Sequence, residues 1–375
     1  MLDHNFNHSR FTVGIEEELM LLDPETLDLT DGIESILPDV PPDRAEYVKP
    51  ELFQSVLEVA TSPCTTVTEA AEELGAMRRL VCDIAASNGM LVGAAGTHPF
   101  ALCDDQSIVE RERYVDLMAD LGFIASRELI FGTHVHVGID DPERAIYVAD
   151  GIRRHLPLLL ALSSNSPYWE GRRTNLHSSR TPVFRAFPRV GIPPHYGSWE
   201  IYSARIEQMV RSGAIDDYTY LWWDVRPHPR LGTVEVRIFD QATRLEDTAA
   251  YAALTVSLAH RYAMLFDAGE PLVEQLWELV DDNKVRACIR GMEGELVDFR
   301  LERHVPAVEM AERLLREIAP SAAELGCTAE LGRVHEILAT GTGSRRQIDW
   351  VESREGEDLR GLVEAVVALT APEPA

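Results

Sequence analysis

The chain has 375 residues, 45% of them hydrophobic, which is enough to bury a sizeable core in one large domain or two ordinary ones. Its formal net charge of −27 excludes a nucleic-acid partner, because phosphate backbones need a basic surface. There is no run of 18 apolar residues and no basic-then-apolar leader in "MLDHNFNHSRF", so no membrane association and a cytoplasmic setting are expected. The five cysteines, Cys64, Cys82, Cys103, Cys288 and Cys327, are scattered without a CxxC pair and read as free thiols. Only two of the 35 basic residues, Lys49 and Lys284, are lysines.

In chain order, "FTVGIEEELMLL" (11–22) alternates. Phe11, Val13, Ile15, Leu19 and Leu21 share one side of a strand with Glu17, and Glu16 and Glu18 share the other. Glutamate has low strand propensity, so three in a row demand a reason. "QSVLEVAT" (54–61) reads as a strand with Gln54, Val56 and Glu58 on one face, stopped by Ser62-Pro63; Glu51, Gln54 and Glu58 would also share a helical face. Thr66 and Glu69 form a capping box before a helix.

"GTHVHVGI" (132–139) places His134 and His136 on one face of a further strand. Asp141-Pro142 opens a helix expected to run to about Leu162. Residues 163–199 carry Arg172, Arg173, Arg180, Arg185 and Arg189 against one acid, Glu170. This basic stretch has little secondary-structure signal, as binding loops and lids often do. Arg226 and Arg230 follow, and "TVEVRIF" (233–239) then places Glu235 and Arg237 on one strand face. Beyond Glu246 the chain reads as mostly helical, with helices expected over 249–266, 273–289, 307–319 and 359–369.

The expected architecture is a single α+β domain over 1–375, sheet-rich over 11–246 and mainly helical over 247–372. Its sheet is largely antiparallel, with helices on the apolar face and a site on the other. Glu16, Glu18, Glu58, His134 and Glu235 would meet on that open face. Clustered carboxylates repel unless a cation sits among them, and oxygen-rich sites with an imidazole suit magnesium or manganese. Arginine forks beside such metals suit phosphoryl transfer from a nucleotide. No GxxxxGK[ST] or GxGxxG motif is present, so a nucleotide would be held by metals and side chains.

"FTVGIEEELMLLDPETLDL", "ELFQSVLEVAT", "GTHPF", "GTHVHVGI", "NSPYWEGRRT" and "WWDVRPHPRLGTVEVRIFDQATRLED" together resemble the type 2 glutamate–cysteine ligases, a carboxylate–amine ligase family. The resemblance spans nearly the whole chain and is strongest over 11–246. It implies a glutamine synthetase-like and guanido kinase-like fold. In that fold a curved, mainly antiparallel sheet holds ATP and Mg2+ or Mn2+ on its concave face, with helices on the convex one. Glu16, Glu18, Glu51, Glu58, His134 and Glu235 would be metal ligands, with His136 uncertain and Glu17 structural. Arg237 would face the phosphates, Arg180 would neutralise a carboxylate or phosphate, and Arg226 would join them as a catalytic arginine.

The implied reaction phosphorylates the γ-carboxylate of glutamate and lets the amine of cysteine displace phosphate, an activity that can be weak on that pair. Small-molecule amino acids and ATP are the implied partners, and a homodimer is the expectation from the family. Open alternatives are a ligase for another acid or amine, a guanidine-type phosphotransferase, and a non-catalytic nucleotide or metal sensor.

Overall fold

The period-two segments pair into one open sheet in a computed structural model that describes residues 2–7, 10–354, 356 and 358–371. Residues 1 and 372–375 of the expected domain therefore lie outside the described residues. The strands are β1 (Val13–Leu22), β2 (Val48–Pro50), β3 (Val56–Ala60), β4 (Leu91–Gly93), β5 (Gly132–Gly138), β6 (Val225–His228) and β7 (Thr233–Asp240). Their order is β6–β7–β5–β1–β3–β2, with β4 paired to the end of β1, and every pairing is antiparallel.

Alternation decides which face meets the core. Val13, Ile15, Leu19, Val135, Val137, Val234 and Val236 are all essentially inaccessible, each worth about 1.5–3 kcal/mol on full burial. Helices cover that face. They are α1 (Val67–Ser87), α2 (Glu112–Leu121), α3 (Pro142–Arg153), α4 (Leu156–Ser163), α5 (Trp199–Arg211), α6 (Leu245–Asp267), α7 (Trp277–Arg290), α8 (Ala307–Glu324), α9 (Thr328–Thr340), α10 (Gly343–Glu352) and α11 (Leu359–Thr370). α6 is apolar around most of its circumference. It lies between the sheet and the outer helices, touching β5, α1, α3, α8 and α9.

Glu17 points into this helical layer. Its carboxylate accepts from Nε and Nη2 of Arg78 on α1 at 2.6 and 2.7 Å and from the Thr248 hydroxyl on α6 at 2.6 Å. The other Arg78 protons go to the carbonyls of Ala242, Thr243 and Thr370. The middle glutamate is thus a structural anchor with every charge-bearing atom bonded.

Four expectations change. The helix from Pro142 ends at Arg153 and restarts at Leu156. Pro157 has no N–H to bond Arg153 and its ring would collide with that carbonyl, which breaks the helix there. The helix expected over 273–289 begins only at Trp277. The largely helical C-terminal third also contains a hairpin, β8 (Glu295–Asp298) with β9 (Arg303–Pro306). Asp298 makes its turn, accepting from the backbone N–H groups of Arg300 and Leu301. The cap of α1 is a variant of the expected box. Thr66 Oγ1 accepts from the Glu69 N–H, but the Glu69 carboxylate reaches Thr65 rather than Thr66.

Candidate active site

Three rungs of cross-strand neighbours build the open face of the sheet. Arg226, Glu235, His136 and Gly14 stand opposite one another across β6, β7, β5 and β1. His134 faces Glu16, and Glu18, Glu58 and Lys49 line up across β1, β3 and β2. Glu51, just after β2, faces Glu58, and each carboxylate acts on the other. All the acids expected at the site line one cavity of about 330 Å3, together with Arg180, Arg226, Arg237 and both histidines. α2 closes one wall with Tyr114 and Leu117, anchored by a 2.9 Å hydrogen bond from the Tyr114 hydroxyl to the Pro50 carbonyl. A larger cavity of about 1070 Å3 adjoins it and shares Glu16, Lys49 and His136.

The arginines are placed by different devices. Arg237 continues the β6–β7 ladder, its N–H bonding the Asp224 carbonyl, while the β7–β5 pairing is bulged between Val236 and Phe239, and the side chain turns onto Glu235. Arg226 clamps the same carboxylate, with Nε at 2.7 Å. Arg180 comes from the basic stretch. Buried Asp240 ties that stretch down, accepting from the Asn165 N–H and the hydroxyls of Ser166 and Ser178. The Arg180 guanidinium then lies flat on Gly132, where an added Cβ would be 2.4 Å from its terminal nitrogen. The Gly132 N–H itself donates to Glu18.

The rest of the basic stretch does not form a lid over this cavity. Arg173 meets Glu352, Arg185 meets Asp281, Arg189 bonds the Tyr220 carbonyl, and Arg172 is exposed. In so acidic a chain, surface arginines find acids before they find ligands. The stretch is also more ordered than expected, with short strand pairs at 168–169 and 172–173 and a helical turn at 180–184.

Electrostatics divide the acids into two groups. Burial alone would raise every one of them. At Glu16 the opposing pull of His136 and His134 wins, and at Glu235 that of Arg226, Arg237 and His136 wins, so both are held well below the usual carboxylate range. Burial prevails at Glu18, pushed up to about 7, and at Glu128, pushed up to about 8. Glu51 is driven well upward by burial and by Glu58, and Glu58 upward by burial and Glu16 against the pull of Lys49. Burial and Arg237 lower His134 to about 4, whereas Glu16 and Glu235 raise His136 despite burial.

These residues fit a divalent cation. Glu16, His136 and Glu235 each offer a ligand atom, all within 4.8 Å of one another. Nε2 of both His134 and His136 is buried without a hydrogen-bond partner. His136 Nδ1 lies 3.0 Å from the Thr233 hydroxyl, a bond that leaves Nε2 free as a donor atom. His136 is thus at least as well placed as His134, which sits 3.2 Å from Glu16. Residue patterning missed Lys49, Glu128 and Tyr114. Lys49 was legible as the cross-strand partner of an acid, whereas Glu128, at the end of a 3-10 turn before β5, carries no strand signal.

A family model described as glutamate–cysteine ligase family 2 matches residues 12–367. A protein of Rubrobacter xylanophilus provisionally named glutamate–cysteine ligase 2-1 is 41% identical over 371 residues, covering 99% of this chain and 98% of that protein. A Sorangium cellulosum protein, provisionally named glutamate–cysteine ligase 2, is 40% identical over 90% of this chain and 91% of its own length. Among solved structures, a glutamate–cysteine ligase of Francisella tularensis in complex with AMP superposes with a TM-score of 0.72 at 15% identity, over 100% of this chain and 91% of that one. The fold is therefore that of the glutamine synthetase-like ligases.

Proposed function

The chain belongs to glutamate–cysteine ligase family 2, and on that premise we propose that it is an ATP-dependent carboxylate–amine ligase joining the γ-carboxylate of glutamate to the amine of cysteine. The observation that carries the reading is the surplus of buried carboxylates around two unpartnered imidazole nitrogens on one sheet face. Acids crowded in this way are relieved by proton uptake or by cations between them, and free imidazole nitrogens beside them suit a metal cation.

Glu16, His136 and Glu235, with His134, Glu18, Glu51 and Glu58 around them, would hold magnesium or manganese. An ion held there would supply neutralisation of phosphate charge. The larger cavity has room for the nucleotide and meets the smaller one at Glu16, Lys49 and His136. Arg237 lines the smaller cavity beside Glu235, where it would stabilise charge developing on the γ-phosphoryl group. Arg226 holds Glu235 and Arg237 in register from the neighbouring strand. Arg180 neutralises a substrate carboxylate. The γ-phosphoryl passes from ATP to the carboxylate oxygen and ADP leaves. The amine then attacks the acyl carbon, the carbon–oxygen bond to phosphate breaks, and the amine proton passes to solvent.

We read the whole chain as one ligase domain. Five free cysteines fit a reducing cytoplasm, and no helix among the described residues is long and apolar enough to cross a membrane.

The test incubates purified protein with ATP, magnesium or manganese, glutamate and a panel of amines including cysteine. Phosphate release and product mass are followed. Metal-dependent phosphate release with γ-glutamylcysteine as product is expected. A phosphorylated guanidine, or nucleotide binding without turnover on any pair, would overturn the reading.

A further inference from the structure

Glu128 ends the 3-10 turn that precedes β5, and residues 130, 132, 134 and 136 follow one side of the chain that leads into and forms β5. Glu128, Ile130, His134 and His136 line the cavity, while Leu129, Phe131, Val135 and Val137 are buried behind them. Glu128 stands apart from the other acids there. Glu51 faces the Glu58 carboxylate, and Glu16, Glu18, Glu58 and Glu235 each hold a hydrogen bond or ion pair. The Glu128 carboxylate has neither among the described residues. Nor does it belong to the trio whose ligand atoms converge.

Arg180 is its counterpart in positive charge. Among the described residues it makes no ion pair, its Nε is buried without a partner, and its terminal nitrogens reach the carbonyls of Ile238 and Arg237, at 3.5 and 3.3 Å. Of the two cations that act on Glu128, Arg237 is already paired with Glu235, which leaves Arg180 as the one without an ion pair. A lone carboxylate and a lone guanidinium on either side of one space complement a zwitterion.

We propose that Glu128 receives the α-ammonium group of the donor amino acid while Arg180 receives its α-carboxylate. The site then selects an α-amino acid over the same dicarboxylate without the amino group. This inference rests on the ligase reading. A charge-assisted hydrogen bond contributes about 1.5–3 kcal/mol, or about 10- to 150-fold in affinity.

The test is calorimetric titration of glutamate and of glutarate, with manganese and a non-hydrolysable ATP analogue present. It uses wild type, Glu128→Gln and Glu128→Asp, with manganese affinity measured separately. Glutamate should bind wild type at least about 10-fold more tightly than glutarate. Glu128→Gln should abolish that preference by weakening glutamate alone, and Glu128→Asp should keep part of it. Equal losses for both acids, weakened manganese binding in Glu128→Gln, or no wild-type preference would overturn the proposal. Turnover run in parallel separates the two failures. Amide formation with an unaltered glutamate preference in Glu128→Gln refutes this inference alone, whereas absence of phosphate release with every pair refutes the ligase reading.

Discussion

Replacing Glu17 with glutamine should unsettle the scaffold while leaving the cavity's acids in place. Glu17 and Arg78 are both fully buried, and both carboxylate oxygens are used. An amide keeps one acceptor but turns the other position into a donor that faces the donors of Arg78. The guanidinium would still be held by three carbonyls yet would lack a counter-charge. Removing one partner of a buried pair costs about 3–5 kcal/mol. In a 375-residue chain unfolding entropy scales so that each kcal/mol moves the midpoint by about 1.3 °C, giving a fall of about 4–6 °C. Thermal denaturation followed by circular dichroism at pH 7, paired with a manganese titration, measures both halves. Glu17 faces away from the cavity, so manganese affinity should change less than about threefold, well below the loss from removing a charged ligand. A midpoint within about 1 °C of wild type would refute the buried-pair argument, because surface-like substitutions cost that little. A large loss of manganese affinity at an unchanged midpoint would refute the assignment of Glu17 to the helical side.

Gly132→Ala should displace the Arg180 guanidinium, since the new Cβ would meet the far end of a side chain that can swing away. A folded protein with a raised KM for the acid substrate is expected, and unchanged kinetics would remove Arg180 from the site. Arg237→Ala should leave manganese binding largely intact, because Arg226 still neutralises Glu235. Its ATP turnover should fall about 10²- to 10³-fold, and unaltered turnover would end its proposed role. The share of metal-free stability that Glu18 and Glu128 contribute should fall as pH rises from 5 to 8, read as the melting-temperature difference between wild type and Glu128→Gln, in which the buried histidines, whose lowered pKa values act in the opposite direction, cancel. Glu18 and Glu128 carry native pKa values near 7 and 8 against an ordinary 4.5, so these two groups bind more protons in the folded chain than in the unfolded one over that window. Manganese displaces those protons, so the melting-temperature gain it confers should grow over the same range; a gain that shrinks would contradict the acid cluster as its site.

What was legible in the sequence is what alternation encodes. Period two in 11–22, 132–139 and 233–239 separates Glu16 and Glu18 from Glu17, and both histidines from the valines between them, and the structure keeps those sides. Glu128 escaped because it caps the 3-10 turn ahead of β5 and so lies outside the strand's alternation, although it still lines the cavity. The basic stretch shows why residue type alone is a poor guide to role. Arg180 and Arg185 sit five positions apart in the same arginine-rich context, yet one enters the cavity and the other pairs with Asp281 at the surface. The difference lies about 60 residues downstream. Asp240, at the end of β7, draws Asn165, Ser166 and Ser178 against the sheet, and the chain that leaves Ser178 delivers Arg180 onto Gly132. Long-range ties of this kind are made by single side chains with no period of their own, so only the assembled fold distinguishes a ligand-facing arginine from a solvated one.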